Sequence, residues 1–379
     1  MDFRGRLKWV QDKMDDHDLD LIVFGSSPDT QYISGSNVDW RRSRDLRHPE
    51  DCLFVPRDGE PILMNGVYSV WRAKSTWIKD VRNLILLQDI RPEVEKALND
   101  LVNDPKKIGI GEYTWSNMTL TVQSILKGAE FLNIDGFLDE RRMIKEPDEI
   151  DLLRKAAHHV EDVMEKVVME IREGLSPRQL ALNIEHYGRS SGAVDISFLP
   201  SGTMYKTGVK AEGQTNYSPN DGLRKNTSIA FDVGFVLNGY CSDWGRSFYY
   251  GNPEDHIKTA YTELMASVVN VTDEIMGGVQ RTDQVFPFIE EQIGKARLGD
   301  YLEARHPQRE VGHQIGVELH ETPWLRPEDR VEIQDGMVFC IEPKLWNNGY
   351  YNIRVEDMIL IKNGKAESLT TYDRELFQL

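Results

Sequence analysis

The chain has 379 residues, 62 acidic side chains against 45 basic ones, and a formal net charge of −17; 40% of its residues are hydrophobic and 28% charged. That balance excludes wholesale disorder, and the length suggests two domains at roughly 150 residues each. The acidic surplus argues against nucleic acid, whose phosphates need clustered Lys and Arg, and against docking on anionic membranes.

The three cysteines, Cys52, Cys241 and Cys340, are odd in number and far apart. A disulfide framework or a cysteine zinc site is not expected, and a reducing, cytoplasmic setting fits. No signal-peptide apolar region follows Met1–Arg6, and no apolar run approaches the ~20 residues that span a bilayer.

In chain order, Leu7, Val10 and Met14 predict a helix, and Leu19 to Phe24 a strand. Cys52–Val55 and Ile62–Met64, joined across Arg57–Glu60, read as a hairpin, and Lys107–Gly111 as a further strand. Trp40, Arg41, Arg42 and Arg44 form an aromatic-basic cluster, either a solvated loop or one that reaches a neighbouring subunit's site. Alternating elements of this kind make residues 1–143 an α/β domain.

The second domain, 144–379, opens at Ile144-Lys145-Glu146-Pro147. Pro147 suits a first helical turn, and Asp148 and Glu149 suit the positive helix end. Apolar residues from Ile150 to Ile171 recur at helical spacing, with Gly174 as a stop. Ser176 and Gln179 form a capping box for the next helix. A third helix runs from Asn252-Pro253-Glu254 to Gly277-Gly278, and a fourth starts at Thr282. Strands are predicted at Ile229–Leu237, Tyr240–Tyr249, Met337–Glu342 and Asn352–Ile361, which makes this half α+β.

The clearest local geometry is Phe231 to Asp243. Asn238-Gly239 between apolar runs is a strong hairpin signal. With those two residues as the loop, Gly234 faces Asp243, and Asp232 is a same-face diagonal neighbour of Asp243. Two carboxylates that close, in apolar strands, need a proton, a base or a metal between them. The alternative is one exposed aspartate and one turn residue. Downstream follow His313, Glu342 and Glu356, the two glutamates in apolar strands where a lone carboxylate is costly. Four carboxylates and one imidazole suit a pair of divalent transition ions.

The order Asp232, Asp243, His313, Glu342, Glu356, set in Gly239-Tyr240-Cys241-Ser242-Asp243, Gly312-His313-Gln314-Ile315-Gly316, His320-Glu321, Ile341-Glu342-Pro343 and Arg354-Val355-Glu356-Asp357, resembles the pita-bread metallopeptidase family. The two-domain layout is similar to its creatinase, prolidase and aminopeptidase P branch. The resemblance implies a creatinase-like N-terminal domain before a pita-bread catalytic domain. It also implies two divalent ions (Mn, Co, Fe or Zn), a small peptide substrate such as a Xaa-Pro dipeptide, and a homodimer. Asp232 would bind one ion and His313 and Glu342 the other, with Asp243 and Glu356 bridging both. Glu342 would accept the proton of a metal-bridging water as it attacks the scissile carbonyl. His320 would hydrogen-bond the substrate unless it is a core histidine. Arg354 would orient a ligand carboxylate unless it forms a surface pair.

Two positions depart from the resemblance. Asn216, in Asn216-Tyr217-Ser218-Pro219, stands where the family has histidine; an amide can still donate to an oxyanion. Lys344 stands where a glycine is usual, and Lys206, Lys210 and Lys344 are either solvated or attract an anionic substrate group. The departures leave open a small non-peptide substrate, by C–N hydrolysis or a sulfoniopropionate lyase-like reaction, and a non-catalytic binding homologue. Cys241 and Cys340, each two residues before a candidate ligand, are expected as small buried packing residues.

Overall fold

A computed structural model describes residues 1–36, 51–66, 76–85, 88–303, 309–375 and 377–379. The aromatic-basic cluster at Trp40 to Arg44 lies outside them. The chain divides into two compact units, Met1–Arg141 and Arg142–Leu379.

The first unit comprises α1 (Phe3–His17), β1 (Leu21–Phe24), α2 (Pro28–Ser34), β2 (Cys52–Pro56), β3 (Ile62–Gly66), β4 (Asp80–Leu84), α3 (Arg91–Leu101), β5 (Lys107–Ile110), α4 (Ser116–Ile125) and β6 (Glu130–Asn133). Its sheet has the order β4-β3-β2-β1-β5-β6. The expected hairpin is β2–β3, antiparallel with Cys52 opposite Met64. β1 pairs antiparallel with β2 and parallel with β5, and every one of its residues is buried. Strands covered on both faces read as continuous apolar runs, as Leu21–Phe24 does. Val94, Ala97 and Leu98 of α3 and Met118 and Val122 of α4 complete that core.

A short helix, α5 (Asp139–Met143), carries the break between units. The second unit continues with α6 (Pro147–Met169), α7 (Pro177–Ser190), β7 (Asp195–Ile196), β8 (Ser201–Lys206), β9 (Thr227–Asp232), β10 (Phe235–Leu237), β11 (Tyr240–Cys241) and β12 (Ser247–Tyr250). α8 (Asp255–Glu274), a 3-10 turn at Thr282–Gln284, α9 (Val285–Lys295), β13 (Leu302–Glu303), β14 (Gly312–Gln314) and β15 (Glu321–Trp324) follow. β16 (Val338–Ile341), β17 (Lys344–Asn347), β18 (Tyr351–Arg354), β19 (Asp357–Lys362), β20 (Lys365–Ser368) and β21 (Phe377–Gln378) close the chain. The strands form four small sheets, β11-β10-β7, β21-β12-β9-β8, β13-β17-β18 and β15-β14-β16-β19-β20. α6 and α7 bury Val160, Val163, Met164, Leu180 and Ile184 with Ile229, Phe231 and Phe248. α8 and α9 bury Leu264, Val268, Phe286 and Ile289 with Phe339, Ile341, Ile353 and Ile359.

The local signals act as their chemistry predicts. The Glu149 carboxylate accepts from the Glu146 N–H at 3.0 Å, closing the first turn of α6, and also from the Tyr240 hydroxyl at 2.9 Å. Ser176 Oγ accepts from the Gln179 N–H at 3.2 Å, while the Gln179 amide turns to Asn183 instead of completing the box. The Asn238-Gly239 loop has φ of 52° and 86°, the positive pair that a tight hairpin needs. Val236 pairs with Cys241, Leu237 with Tyr240, and Val233 with Trp244, so the expected register holds.

Three long strands are shorter than the apolar runs suggest. Ile229–Leu237 breaks between Asp232 and Phe235, Tyr240–Tyr249 between Cys241 and Ser247, and Asn352–Ile361 between Arg354 and Asp357. At each break the chain leaves one sheet and joins another. Apolar runs mark burial, and burial continues across a change of sheet.

Candidate metal centre

Four of the five candidate ligands sit at these breaks or at a strand end, and the fifth, His313, is the middle residue of β14. Asp232 ends β9, Asp243 lies between β11 and β12, Glu342 directly follows β16, and Glu356 lies between β18 and β19. Glu342 and Glu356 were expected inside strands, and they stand just outside them. Backbone bonds hold both: the Glu342 N–H donates to the Val311 carbonyl and the Glu356 N–H to the Gly245 carbonyl, each at 2.8 Å. A Cβ at Gly245 would lie 2.9 Å from Arg354 Nε and 3.0 Å from the Glu356 Cβ. At Gly312 it would lie 1.9 Å from the Cys340 carbonyl oxygen. These two glycines let ligand-bearing segments pass close together.

One ligand atom from each of Asp243, His313, Cys340 and Glu356 lies within 4.8 Å of the others, and all four residues are buried. His313 Nε2 is 3.6 Å from Asp243 Oδ2 and 3.6 Å from Glu342 Oε1. His313 Nδ1 is 2.8 Å from the Gln314 carbonyl oxygen. A carbonyl only accepts, so Nδ1 carries a proton and donates it, which leaves Nε2 directed toward the carboxylates. Asp243 Oδ1, His313 Nε2 and Glu356 Oε1 are buried without a hydrogen-bond partner. Buried acceptors left in this state are costly. A divalent cation satisfies all three together, and carboxylate and imidazole donors are those such an ion takes. The residues present therefore fit a metal.

Burial, followed by repulsion from Glu356 and Glu342, raises the Asp243 carboxyl well above the usual carboxylate range. Burial also raises Glu356, although Arg354 opposes it. Arg354, expected either to orient a carboxylate or to pair at the surface, is 5% exposed. Its Nη1 contacts Asp232, and its Nη2 lies 2.8 Å from Glu342 Oε2 and 2.6 Å from Glu356 Oε2. Asp232 thus joins the cluster through Arg354. Lys344, opposite Arg354 in the β17–β18 pair, places Nζ 3.3 Å from Glu342 Oε2. Lys206 donates to the Thr207 carbonyl at 3.3 Å, and Lys210 is exposed.

His320 is exposed and is not a core histidine. Its ring stands perpendicular to that of His313 with centroids 4.5 Å apart, and Trp324 lies 5.0 Å from it. The neighbouring Glu321 turns inward. Arg142 donates to Glu321 Oε1 at 2.7 Å, and Lys145 donates to Glu321 Oε2 at 3.0 Å and to Gln314 Oε1 at 2.7 Å. Despite burial, the two cations bring the Glu321 carboxyl down to about 2.

Asn216 has another task than the one expected of it. Its Oδ1 accepts from the Lys206 N–H at 2.7 Å, and its Nδ2 donates to the Lys206 and Val209 carbonyls at 2.9 and 2.8 Å. Both amide hydrogens are committed to the backbone of the segment after β8, leaving none for an oxyanion. This corrects Asn216 from an oxyanion donor to a loop tie.

Sequence reasoning read Cys340 as a buried packing residue, which it is, and passed over the Arg142–Lys145–Glu321 cluster and Trp324. Cys340 is opposite His313 in the β14–β16 pair, so its sulfur shares the ligand face. Its position two residues before Glu342 was the available signal, and packing was the commoner reading. Cys52, Cys241 and Cys340 are all buried, and no two of them form a disulfide.

Known proteins share both halves of the chain. Residues 151–363 match the family described as metallopeptidase family M24, and residues 6–144 match the creatinase/prolidase N-terminal domain. YkvY of Bacillus subtilis, named as a candidate dipeptidase, is 31% identical over 253 residues, 66% of this chain and 67% of its own. The Xaa-Pro dipeptidase of Pyrococcus horikoshii is 21% identical over 376 residues, 98% of each chain. A prolidase from Thermococcus sibiricus superposes with a TM-score of 0.85 at 24% identity, over the whole of both chains. The fold is therefore the two-domain one expected, an α/β creatinase-like domain before an α+β pita-bread domain. Among the described residues, no helix is long and apolar enough to cross a membrane.

Proposed function

Because this chain belongs to metallopeptidase family M24, and so to a class of metal-dependent hydrolases, we propose that it is a two-metal Xaa-Pro dipeptidase. The observation that carries this reading is the set of buried, unpartnered acceptors on Asp243, His313 and Glu356. In this reading Asp232, Asp243, His313, Glu342 and Glu356 hold the ions, and residues 144–379 contain the chemistry. Bound there, divalent ions supply Lewis-acid polarisation of the scissile carbonyl and an acidified water.

The chain's own residues do the rest. Glu342, flanked by Arg354 at 2.8 Å and Lys344 at 3.3 Å, accepts a proton at its carboxylate and returns it to the leaving amine. Arg354 fixes the carboxylates of Glu342 and Glu356 in one orientation. His320, at the exposed edge beside Trp324, donates to the developing oxyanion. Manganese is the ion we infer first, because the donors are mainly hard carboxylates; Co, Fe and Zn also accept this set. Buried cysteines that form no disulfide support a cytoplasmic setting, and the resemblance to two-domain relatives supports a homodimer.

The test is hydrolysis of Xaa-Pro dipeptides by protein reconstituted with each divalent ion, alongside elemental analysis. Turnover that chelation abolishes and metal restores is expected. No peptide turnover with any ion would sink the dipeptidase reading, and turnover of small non-peptide amides alone would replace it with the metabolite reading.

A further inference from the structure

The cations around the centre are unequal. Arg354 is buried and shared among three carboxylates. Lys344 is 22% exposed against 6% for Glu342, and that single ion pair is the one polar contact its ammonium makes among the described residues. An ammonium carries three donors, so Lys344 has capacity left over. Its place opposite Arg354 puts it on the strand face that meets the carboxylates.

Charge balance says what that capacity is for. Four carboxylates, Asp232, Asp243, Glu342 and Glu356, face two cations, Arg354 and Lys344, and the deficit equals the charge of one divalent ion. Two ions turn the deficit into an equal surplus of positive charge. An activated water offsets part of it, and an anionic group on the substrate offsets the remainder. Uncompensated charge in so buried a place is costly, so the loaded centre favours a substrate that brings its own negative charge close to the scissile bond.

We propose that Lys344 binds the free α-carboxylate of the substrate, which makes unblocked dipeptides the substrate class and disfavours longer or C-terminally amidated peptides. This inference rests on the hydrolase reading above. Lys344 then acts as a specificity residue, shared between Glu342 and the substrate carboxylate. Lys206 and Lys210 do not compete for the role, since the first is tied to the Thr207 carbonyl and the second is exposed.

The test compares a Xaa-Pro dipeptide with its C-terminal amide, using metal-loaded wild type, K344M and K344R whose metal content and melting temperature are measured alongside. A charge-assisted contact is worth roughly ten- to hundred-fold in binding. Wild type is expected to prefer the free acid by about that factor in kcat/KM. K344M should bring the ratio of acid to amide toward one, mainly through KM, and K344R should keep most of the preference. A K344M enzyme that retains the wild-type ratio, or loses both substrates equally, overturns the inference. If wild type cleaves no peptide, the hydrolase reading fails separately, and calorimetry with proline and prolinamide decides the inference. Preference for proline in wild type, lost in K344M, supports it; no preference, or one that survives in K344M, overturns it.

Discussion

Two buried charge clusters lie in the same unit, and they are built oppositely. Around Glu321 each acid has a base: Arg142 serves Glu318 and Glu321, each at 2.7 Å, and Lys145 serves Glu321 and Gln314. Around Asp243 and Glu356 acids outnumber bases, and three acceptor atoms have no partner. The first arrangement balances its charge within the chain, although Gln314 Nε2 there is buried without a partner, and the second has an excess of carboxylate that only something from outside offsets. Burial of charge is common to both and does not distinguish structure from function. An excess of buried acid over base does. The strand register ties the two clusters together, because Gln314 follows His313 and Glu321 follows His320.

The sharpest way to break the contrast is to remove one acid from each cluster. Asp243→Ala or Glu356→Ala should lower metal-dependent turnover by roughly a thousand-fold, beyond the ten- to hundred-fold typical of residues that only support ligands, while circular dichroism stays native. Turnover near wild type in either variant would refute their role as ligands. Glu321→Ala should do the reverse, costing about 3–5 kcal/mol of stability by leaving buried Lys145 without a carboxylate and Arg142 with Glu318 alone, measured by denaturant unfolding.

The pH dependence of metal-free protein should show the same opposition. Asp243 and Glu356 have raised folded values, so the folded state binds more protons and stability rises as pH falls from neutrality toward the ordinary carboxylate range. Glu321 is depressed to about 2, so its contribution is full above the ordinary glutamate range and is lost as pH falls through about 2. Thermal melts at stepped pH should give a maximum that Glu321→Gln flattens on its acid side. A profile that this substitution leaves unaltered would refute the assignment. The smallest effect is expected at Cys340. Cys340→Ser should weaken binding of zinc or cobalt more than that of manganese, by about ten-fold or less, because only the softer ions gain from sulfur. Equal change for all three ions, by competition titration, would mean that the sulfur lies outside their reach.

Much of this was legible in the sequence for identifiable reasons. The Asn238-Gly239 turn dictates its own register, so the placement of Asp243 opposite Gly234 follows from local chemistry alone. The long helix from Pro147 and the β2–β3 hairpin likewise depend on neighbours in the chain. What the sequence withheld depends on distant partners. Asn216 has the same donors wherever it stands, and only the path of Lys206 to Val209 decides that they are consumed. Lys344 reads as a solvated lysine until the β17–β18 register sets it opposite Arg354. The strand breaks were hidden because apolar residues continue through them while the sheet changes.

Those breaks also bear on how the centre comes into being. The five proposed donors lie between Asp232 and Glu356, and only Asp232 and Asp243 share a local hairpin, while His313, Glu342 and Glu356 come from distant strands. A complete set of these donors is thus assembled only by tertiary folding, unlike the closely spaced ligands of a zinc finger, whose metal drives folding. The apolar cores beneath α6–α7 and α8–α9 contain none of the five and can assemble without metal. On that assignment the fold would form before an ion is bound, and the ion would be taken from the divalent pool that the folded protein meets.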